Sequence, residues 1–198
     1  MRYTTLTLAL ALLVGCATIP TPKSRSEWEQ VHMRTFPGKS QREVLDAAEK
    51  VLAAADHDFK FDYPPDKLVA YRRWTVYAVL TIAGGTDYWT LETRTVDGQT
   101  QGMVQITQQT GATTISPSFG PGGTTSWGAD SYSTPGQPVQ ARASYDLFWA
   151  RVESVLYGKP WVTCEQFKAG LKGEARGAKF GLETLCSVTT DDKTVAGS

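Results

Sequence analysis

The sequence predicts a two-layer α+β domain, in which an antiparallel meander sheet packs against two amphipathic helices. Two segments, one towards each end of the chain, place apolar residues at helical spacing. Between them lie segments with strand-like alternation or with many β-branched and aromatic residues. Turn sequences separate these segments, so we expect consecutive strands to pair antiparallel. The predicted order of elements is β-α-β-β-β-β-α.

The first predicted elements are a short strand over residues 31–36 and a helix. Pro37 and Gly38 end the strand. Ser40 and Glu43 have the spacing of a capping box, which marks the start of a helix. The apolar residues after them form one stripe, as in a helix packed on a sheet: Val44, Leu45, Ala48, Val51, Leu52 and Ala55. We expect the helix to end near Ala55.

Four strands follow the first helix in the prediction. They cover residues 59–63, 68–82, 88–96 and 103–109. We expect residues 84–87, which begin with two glycines, to turn the chain between the second and third of these strands. Asp97-Gly98 is a strong signal for a two-residue hairpin before the fourth.

Residues 111–138 differ sharply in composition from the strands before them. Twenty of these 28 residues are Gly, Pro, Ser or Thr, and we predict a long loop. Loops of this length within a compact domain are usually functional or disordered. Disorder favours fewer aromatic residues than this segment contains. Phe119, Trp127 and Tyr132 are therefore predicted as possible binding residues.

The second predicted helix covers residues 139–157. Its stripe is rich in aromatic residues, and Gly158 and Pro160 follow it as stop signals. Residues 165–171 are compatible with another short helix. The polar tail over residues 189–198 is expected to fray.

The N-terminal segment predicts the location of the protein. Arg2 precedes an apolar run over residues 6–14, which has the length of a signal-peptide core and is too short to cross a bilayer. Residues 13–16, Leu-Val-Gly-Cys, resemble the lipobox of bacterial lipoproteins. The resemblance implies that residues 1–15 are a signal peptide and that Cys16 becomes the acylated N-terminus. Three acyl chains would give stable anchoring.

Ala17 bears on which membrane would hold the anchor. An Asp at this position tends to retain proteobacterial lipoproteins at the inner membrane, so Ala17 implies the outer membrane, facing the periplasm. Residues 16–27 would be a lipidated tether, and residues 28–188 a single domain. The alternative is an ordinary signal peptide that is cut near Ala17, with Cys16 present by chance.

The predicted element order behind a lipobox also resembles the small helix-on-sheet domains of outer-membrane lipoproteins, such as BamC-like lipoproteins. The resemblance covers residues 31–158 and rests on element order and anchoring. It carries over no functional residue. The Gly/Ser/Thr-rich loop and the cysteine-containing C-terminus have no counterpart in that pattern.

The two remaining cysteines, Cys164 and Cys186, are predicted to form a disulfide. In an oxidising compartment this is the natural pairing, and it would contribute roughly 3 kcal/mol to stability. A redox pair would instead need a close C-x-x-C motif. A metal site would need further cysteine or histidine ligands nearby, and neither signal is in the sequence.

Motifs that would name a reaction are absent from the sequence. His57 lies between Asp56 and Asp58, which could orient its imidazole for acid–base or metal chemistry. The same three residues could simply form a turn. We expect His32 to be exposed. Five tryptophans could line a groove for glycan or lipid: Trp74, Trp89, Trp127, Trp149 and Trp161. Trp74, Trp89 and Trp149 fall on predicted strand or helix faces, where core packing is the usual role.

Composition narrows the class of function. The chain has 20 basic and 20 acidic side chains, so no basic field indicates nucleic acid. We expect no cofactor and no metal. The expected function is a non-enzymatic binding or structural module of the cell envelope, with the membrane and an envelope protein or polymer as partners. The alternatives are an envelope hydrolase with an unrecognised site and a carrier of small hydrophobic ligands.

Overall fold

The protein is described here by a computed structural model over residues 24–119 and 125–171, with the isolated residues 182, 184–186 and 195. The predicted signal peptide, Cys16 and residues 17–23 of the tether lie outside the described residues. So does the predicted tail, apart from Val195. The described part has the predicted fold class, because a six-stranded antiparallel sheet forms one layer and helices form the other.

Helices and strands follow the predicted order with additions at both ends and within the predicted loop. The helices are α1 (Arg25–His32), α2 (Gln41–Ala55), α3 (Arg142–Tyr157) and α4 (Cys164–Gly170). The strands are β1 (Met33–Phe36), β2 (Lys60–Asp62), β3 (Lys67–Ala78), β4 (Thr81–Val96), β5 (Gln99–Phe119) and β6 (Thr125–Pro138). Strands β2 to β6 form a meander, and β1 pairs with the first residues of β5.

The capping box predicted at the start of α2 is confirmed. Glu43 N–H donates to Ser40 Oγ at 3.3 Å, and Ser40 N–H donates to Glu43 Oε2 at 2.8 Å. The backbone N–H and the hydroxyl of Ser40 both donate to the Glu43 carboxylate, and they hold the pKa of Glu43 below its ordinary value. The hairpin predicted at Asp97-Gly98 is also confirmed, since both residues have positive φ, 51° and 73°, as a type I′ turn requires.

The core lies between the helices and one face of the sheet, which we call the inner face. Helices α2 and α3 cover this face, and Trp89 and Trp149 are both fully buried in the core. Trp149 Nε1 donates to the carbonyl of Val31 at 3.1 Å. The inner face contributes alternate residues of three strands: Leu68, Ala70, Trp89, Leu91, Val104 and Ile106.

Helix α1 is a correction to the predicted tether and first strand. Ser24 and Glu27 form a second capping box, so the helix begins within the tether and takes the first two residues that were predicted as strand. The rest of that strand is confirmed as β1. His32 is buried, not exposed, because its ring lies between Trp28 (4.5 Å between centroids) and Tyr145 (4.3 Å). Its Nδ1 lies 3.1 Å from the Val104 carbonyl oxygen.

The predicted loop over residues 111–138 is wrong for most of its length. Residues up to Phe119 continue β5, and Thr125–Pro138 form β6, which pairs antiparallel with β5. The hairpin is held by backbone hydrogen bonds, which do not depend on the side chains. Its threonines also favour the strand conformation. Both of its faces meet solvent, so the sequence shows no apolar alternation there.

The predicted turn at residues 84–87 is wrong as well. These residues lie within β4, and the chain turns at Val79-Leu80. Gly85 serves a close approach, because a Cβ there would lie 2.7 Å from Cζ2 of Trp74 and 2.3 Å from the Gln109 carbonyl oxygen.

The disulfide predicted between Cys164 and Cys186 is present in the structure, with Cα atoms 5.8 Å apart. Beside it lies Arg151 of α3, which is fully buried. The Arg151 guanidinium donates to the carbonyls of Val162 (3.0 Å) and Leu185 (3.1 Å). These hydrogen bonds compensate for the burial of the Arg151 charge, and they join α3 to the C-terminal segment.

Candidate functional site

A four-stranded part of the sheet runs beyond the helices, and most of its side chains are exposed or half-buried. We call it the sheet extension. It consists of residues 72–78 of β3, 81–87 of β4, 107–119 of β5 and 125–138 of β6. Below it, Trp89 and Ile106 are buried under the helices, whereas within it Val76 and Tyr77 are exposed.

A buried polar cluster lies where the sheet extension meets the core. Arg72 donates from Nη1 to Asp56 Oδ2 at 2.7 Å and from Nη2 to Asp87 Oδ2 at 2.9 Å. Asp87 Oδ1 also accepts from Trp74 Nε1 (3.2 Å) and Gln108 Nε2 (2.7 Å). Asp87 therefore binds side chains of β3 and β5 from its place on β4.

This cluster is shielded from water. Asp87 is 1% exposed and Arg72 7% exposed, and the Arg72 guanidinium lies 5.6 Å from the centroid of the Phe59 ring. Paired and hydrogen-bonded charges tolerate such burial, whereas a charge without its partner would not. The cluster therefore fixes the register of three strands at the base of the sheet extension.

The predicted binding residues lie on the sheet extension, but they do not form one patch. Trp127 is 64% exposed and Tyr132 is 65% exposed. Trp127 is the partner of Pro117, and Tyr132 the partner of Ala112, so the alternation along β5 places them on opposite faces. Phe119 ends β5, and its side chain lies outside the described residues.

Exposed apolar side chains accompany Trp127 on the outer face, which is the face turned away from the helices. Tyr77 and Ile82 are partners across β3 and β4, and Ile115 follows two residues after the partner of Ile82. All three are exposed, as are Val79 and Leu80 in the turn. Large exposed apolar groups in one region are typical of a contact surface.

The β5–β6 part of the sheet extension is almost uncharged. Between residues 98 and 141 the sequence has a single charged side chain, Asp130. By contrast, the outer face near the core has ordinary surface charge, including the Lys67–Glu92 ion pair at 2.7 Å. The β5–β6 part thus lacks the charge that usually keeps an exposed strand from associating.

The outward edge of β6 is open. All of its residues are exposed, and among the described residues only β5 pairs with it. Edge strands are normally kept short, or are bulged, charged or interrupted by proline. Residues 125–134 have no proline and no basic side chain. Sequence reasoning identified this segment by composition, but missed its strand and therefore its edge.

Other candidate sites are less developed. A cavity of about 340 Å³ lies on the inner side of the extension and is lined by Trp74, Val76 and Thr184, among others. Another, of about 490 Å³, is lined by Asp58, Lys60, Tyr71 and Arg73. His57 lies in the turn after α2 and lines neither cavity. Within the described residues, no three potential ligands are grouped as a metal site requires.

No protein-family model, curated protein or solved structure matches this chain. In the part of the chain that the structure describes, none of the helices combines the length and the apolar character needed to cross a membrane.

Proposed function

We propose that the protein is a lipid-anchored lipoprotein of the bacterial cell envelope, attached through Cys16 to the outer membrane and facing the periplasm. In this proposal it acts without catalysis, as a binding or structural module. The lipobox-like residues 13–16 support the anchor. The disulfide between Cys164 and Cys186 is in keeping with an oxidising compartment.

The sheet extension is the proposed contact element for an envelope protein or polymer. The observation that carries this proposal is the hairpin of β5 and β6, which projects from the packed domain with Trp127 and Tyr132 exposed. Tyrosine and tryptophan are enriched in protein interfaces because they combine large apolar area with a hydrogen-bonding group. The buried Asp87–Arg72 pair holds the base of the hairpin, so the contact residues are presented on a rigid support.

One cavity favours a second candidate function, the carrier of a small hydrophobic ligand. The 340 Å³ cavity contains Trp74 and Val76 beside the polar Asp87 and Gln108. This combination of apolar walls and a few polar groups is usual for small-molecule sites. This candidate function would be supported by a fluorescent apolar probe that binds the wild type but does not bind the Val76→Trp variant.

The anchor is tested by Cys16→Ser. We expect this change to abolish incorporation of radiolabelled palmitate and to leave a precursor or a soluble form, because the thiol is the site of lipid attachment. Unchanged labelling and membrane fractionation would overturn the anchor. The contact element is tested separately, by crosslinked pull-down from envelopes with the intact protein and with Trp127→Ser/Tyr132→Ser. Equal capture by both would exclude these two residues as the contact.

A further inference from the structure

The open edge of β6 has a definite hydrogen-bonding requirement. Each strand of an antiparallel pair uses alternate backbone groups for one neighbour and leaves the others for the next. In β6 the first set bonds to β5 without interruption over the pairs from Thr110↔Thr134 to Phe119↔Thr125, beyond a register shift between Gln108 and Thr110. The second set points away from the sheet. A further strand would complete it, as in recognition by strand addition.

We infer that the occupant is a second copy of this chain, and that two sheet extensions join along β6 into one continuous sheet. Antiparallel pairing of a strand with its own copy needs only a two-fold axis perpendicular to the sheet. The inference deepens the proposed function, since it names the partner of the same hairpin. The inference rests on the proposed function in one respect, because anchoring in a shared membrane would concentrate the copies.

The charge on the edge permits this pairing. Like charges directly opposite one another across a strand pair are destabilising. Residues 125–138 carry one charge, Asp130, so only the register that places Asp130 opposite Asp130 is penalised. An edge with several like charges would repel its own copy in most registers.

The side chains of β6 suit the same pairing. The existing β5–β6 pair has cross-strand hydroxyl contacts between Thr110 and Thr134 and between Thr113 and Ser131, both at 2.8 Å. A copy of β6 offers serine and threonine hydroxyls for the same kind of contact, at Ser131, Ser133 and Thr134. Trp127 and Tyr132, which project from opposite faces, would each gain a neighbouring strand to cover them.

The first test uses the chain from Ala17 to Ser198, which contains every described residue and no lipid. Light scattering over a concentration series should show a monomer–dimer equilibrium. Ala129→Lys/Ser133→Lys places two cations on β6 and should raise the dissociation constant about tenfold or more, through like charges opposed across the axis. The matched control, Thr75→Lys/Val79→Lys, adds the same charge on β3 and in the β3–β4 turn and should leave the equilibrium unchanged.

The second test uses the full chain in envelopes. Ser133→Cys should form a covalent dimer with a short thiol crosslinker, and adding Ala129→Lys should reduce it. Circular dichroism of each variant shows whether the fold is kept. A chain that stays monomeric in solution and gives no Ser133→Cys dimer in envelopes overturns the inference. A crosslink to another protein in place of the dimer would refute a second copy as the occupant of the edge. Equal weakening of the dimer by both lysine pairs would refute the β6 edge as the place where the copies pair. Because the solution test contains no lipid, its result does not depend on the Cys16 anchor.

Discussion

Removing the carboxylate of Asp87 should destabilise the protein far more than removing any exposed carboxylate of the same sheet. Asp87 is 1% exposed and accepts three side-chain hydrogen bonds, from Arg72, Trp74 and Gln108. Asp87→Ala would leave Arg72 buried with only part of its compensation. Breaking a buried ion pair in this way costs about 3–5 kcal/mol.

Glu92→Ala provides a matched control. Glu92 and Lys67 are Cα partners across the same two strands as Asp87 and Arg72. Their side chains are 38% and 45% exposed, and their charged atoms are 2.7 Å apart. Exposed pairs of this kind contribute at most about 1 kcal/mol. The two variants therefore compare the same interaction between the same strands in two environments.

Urea unfolding followed by tryptophan fluorescence measures both changes in free energy. We also expect Arg72→Met/Asp87→Leu to lose less stability than the two single changes added together, by about 1–3 kcal/mol, because the pair is coupled. An Asp87→Ala variant within about 1 kcal/mol of the wild type, like Glu92→Ala, would refute the reasoning. It would mean that water reaches the cluster and replaces the lost carboxylate.

Three further predictions concern other parts of the protein. Cys164→Ser/Cys186→Ser should lower stability by roughly 3 kcal/mol, and unreduced wild type should resist alkylation; two reactive thiols would contradict the disulfide. Replacing residues 112–134 by a short Gly/Ser linker should shift the melting temperature only slightly, since Trp127 and Tyr132 are exposed and loop length has a weak effect; a large drop would show that the hairpin supports the core. Burial raises the pKa of Tyr145 to about 12 from 10.0. This contribution to stability is therefore complete below pH 10 and is lost as the pH rises towards 12. Between these values the wild type should lose roughly 2–3 kcal/mol more than Tyr145→Phe, and parallel pH curves for the two would refute the burial effect.

Local signals made several elements predictable from the sequence. Ser40 and Glu43 indicate the start of α2, and Asp97-Gly98 indicates the hairpin between β4 and β5. Each of these structures depends only on residues that are close together in the chain. The same capping-box spacing at Ser24 and Glu27 could have identified α1. The apolar stripe of α2 was readable because that helix buries one side. Helix α3 is buried over most of its circumference, and it was readable from its aromatic residues and from the stop signals Gly158 and Pro160.

Other features depend on partners that are distant in sequence. Residues 125–138 form a strand because β5 offers an edge, and with both faces in solvent they show no period-two pattern. Gly85 was predicted as a turn residue, but the structure requires a glycine there because the Trp74 ring lies close to its Cα. Arg72 joins Asp56 and Asp87 only once α2, β3 and β4 are assembled. Neither the sheet extension nor its open edge was therefore visible in composition alone.

The placement of β1 has a consequence for the order of folding. Strands β2 to β6 pair with chain neighbours through short connections, so each hairpin can form as soon as its own residues are present. Strand β1 instead waits for β5, whose Met103 lies about 70 residues after its partner Met33. Contacts between residues so far apart form late, because closing the intervening chain costs entropy before the pairing repays it. Strand β1 is thus among the last strands to pair, and during synthesis it stays unpaired until β5 has begun to be made.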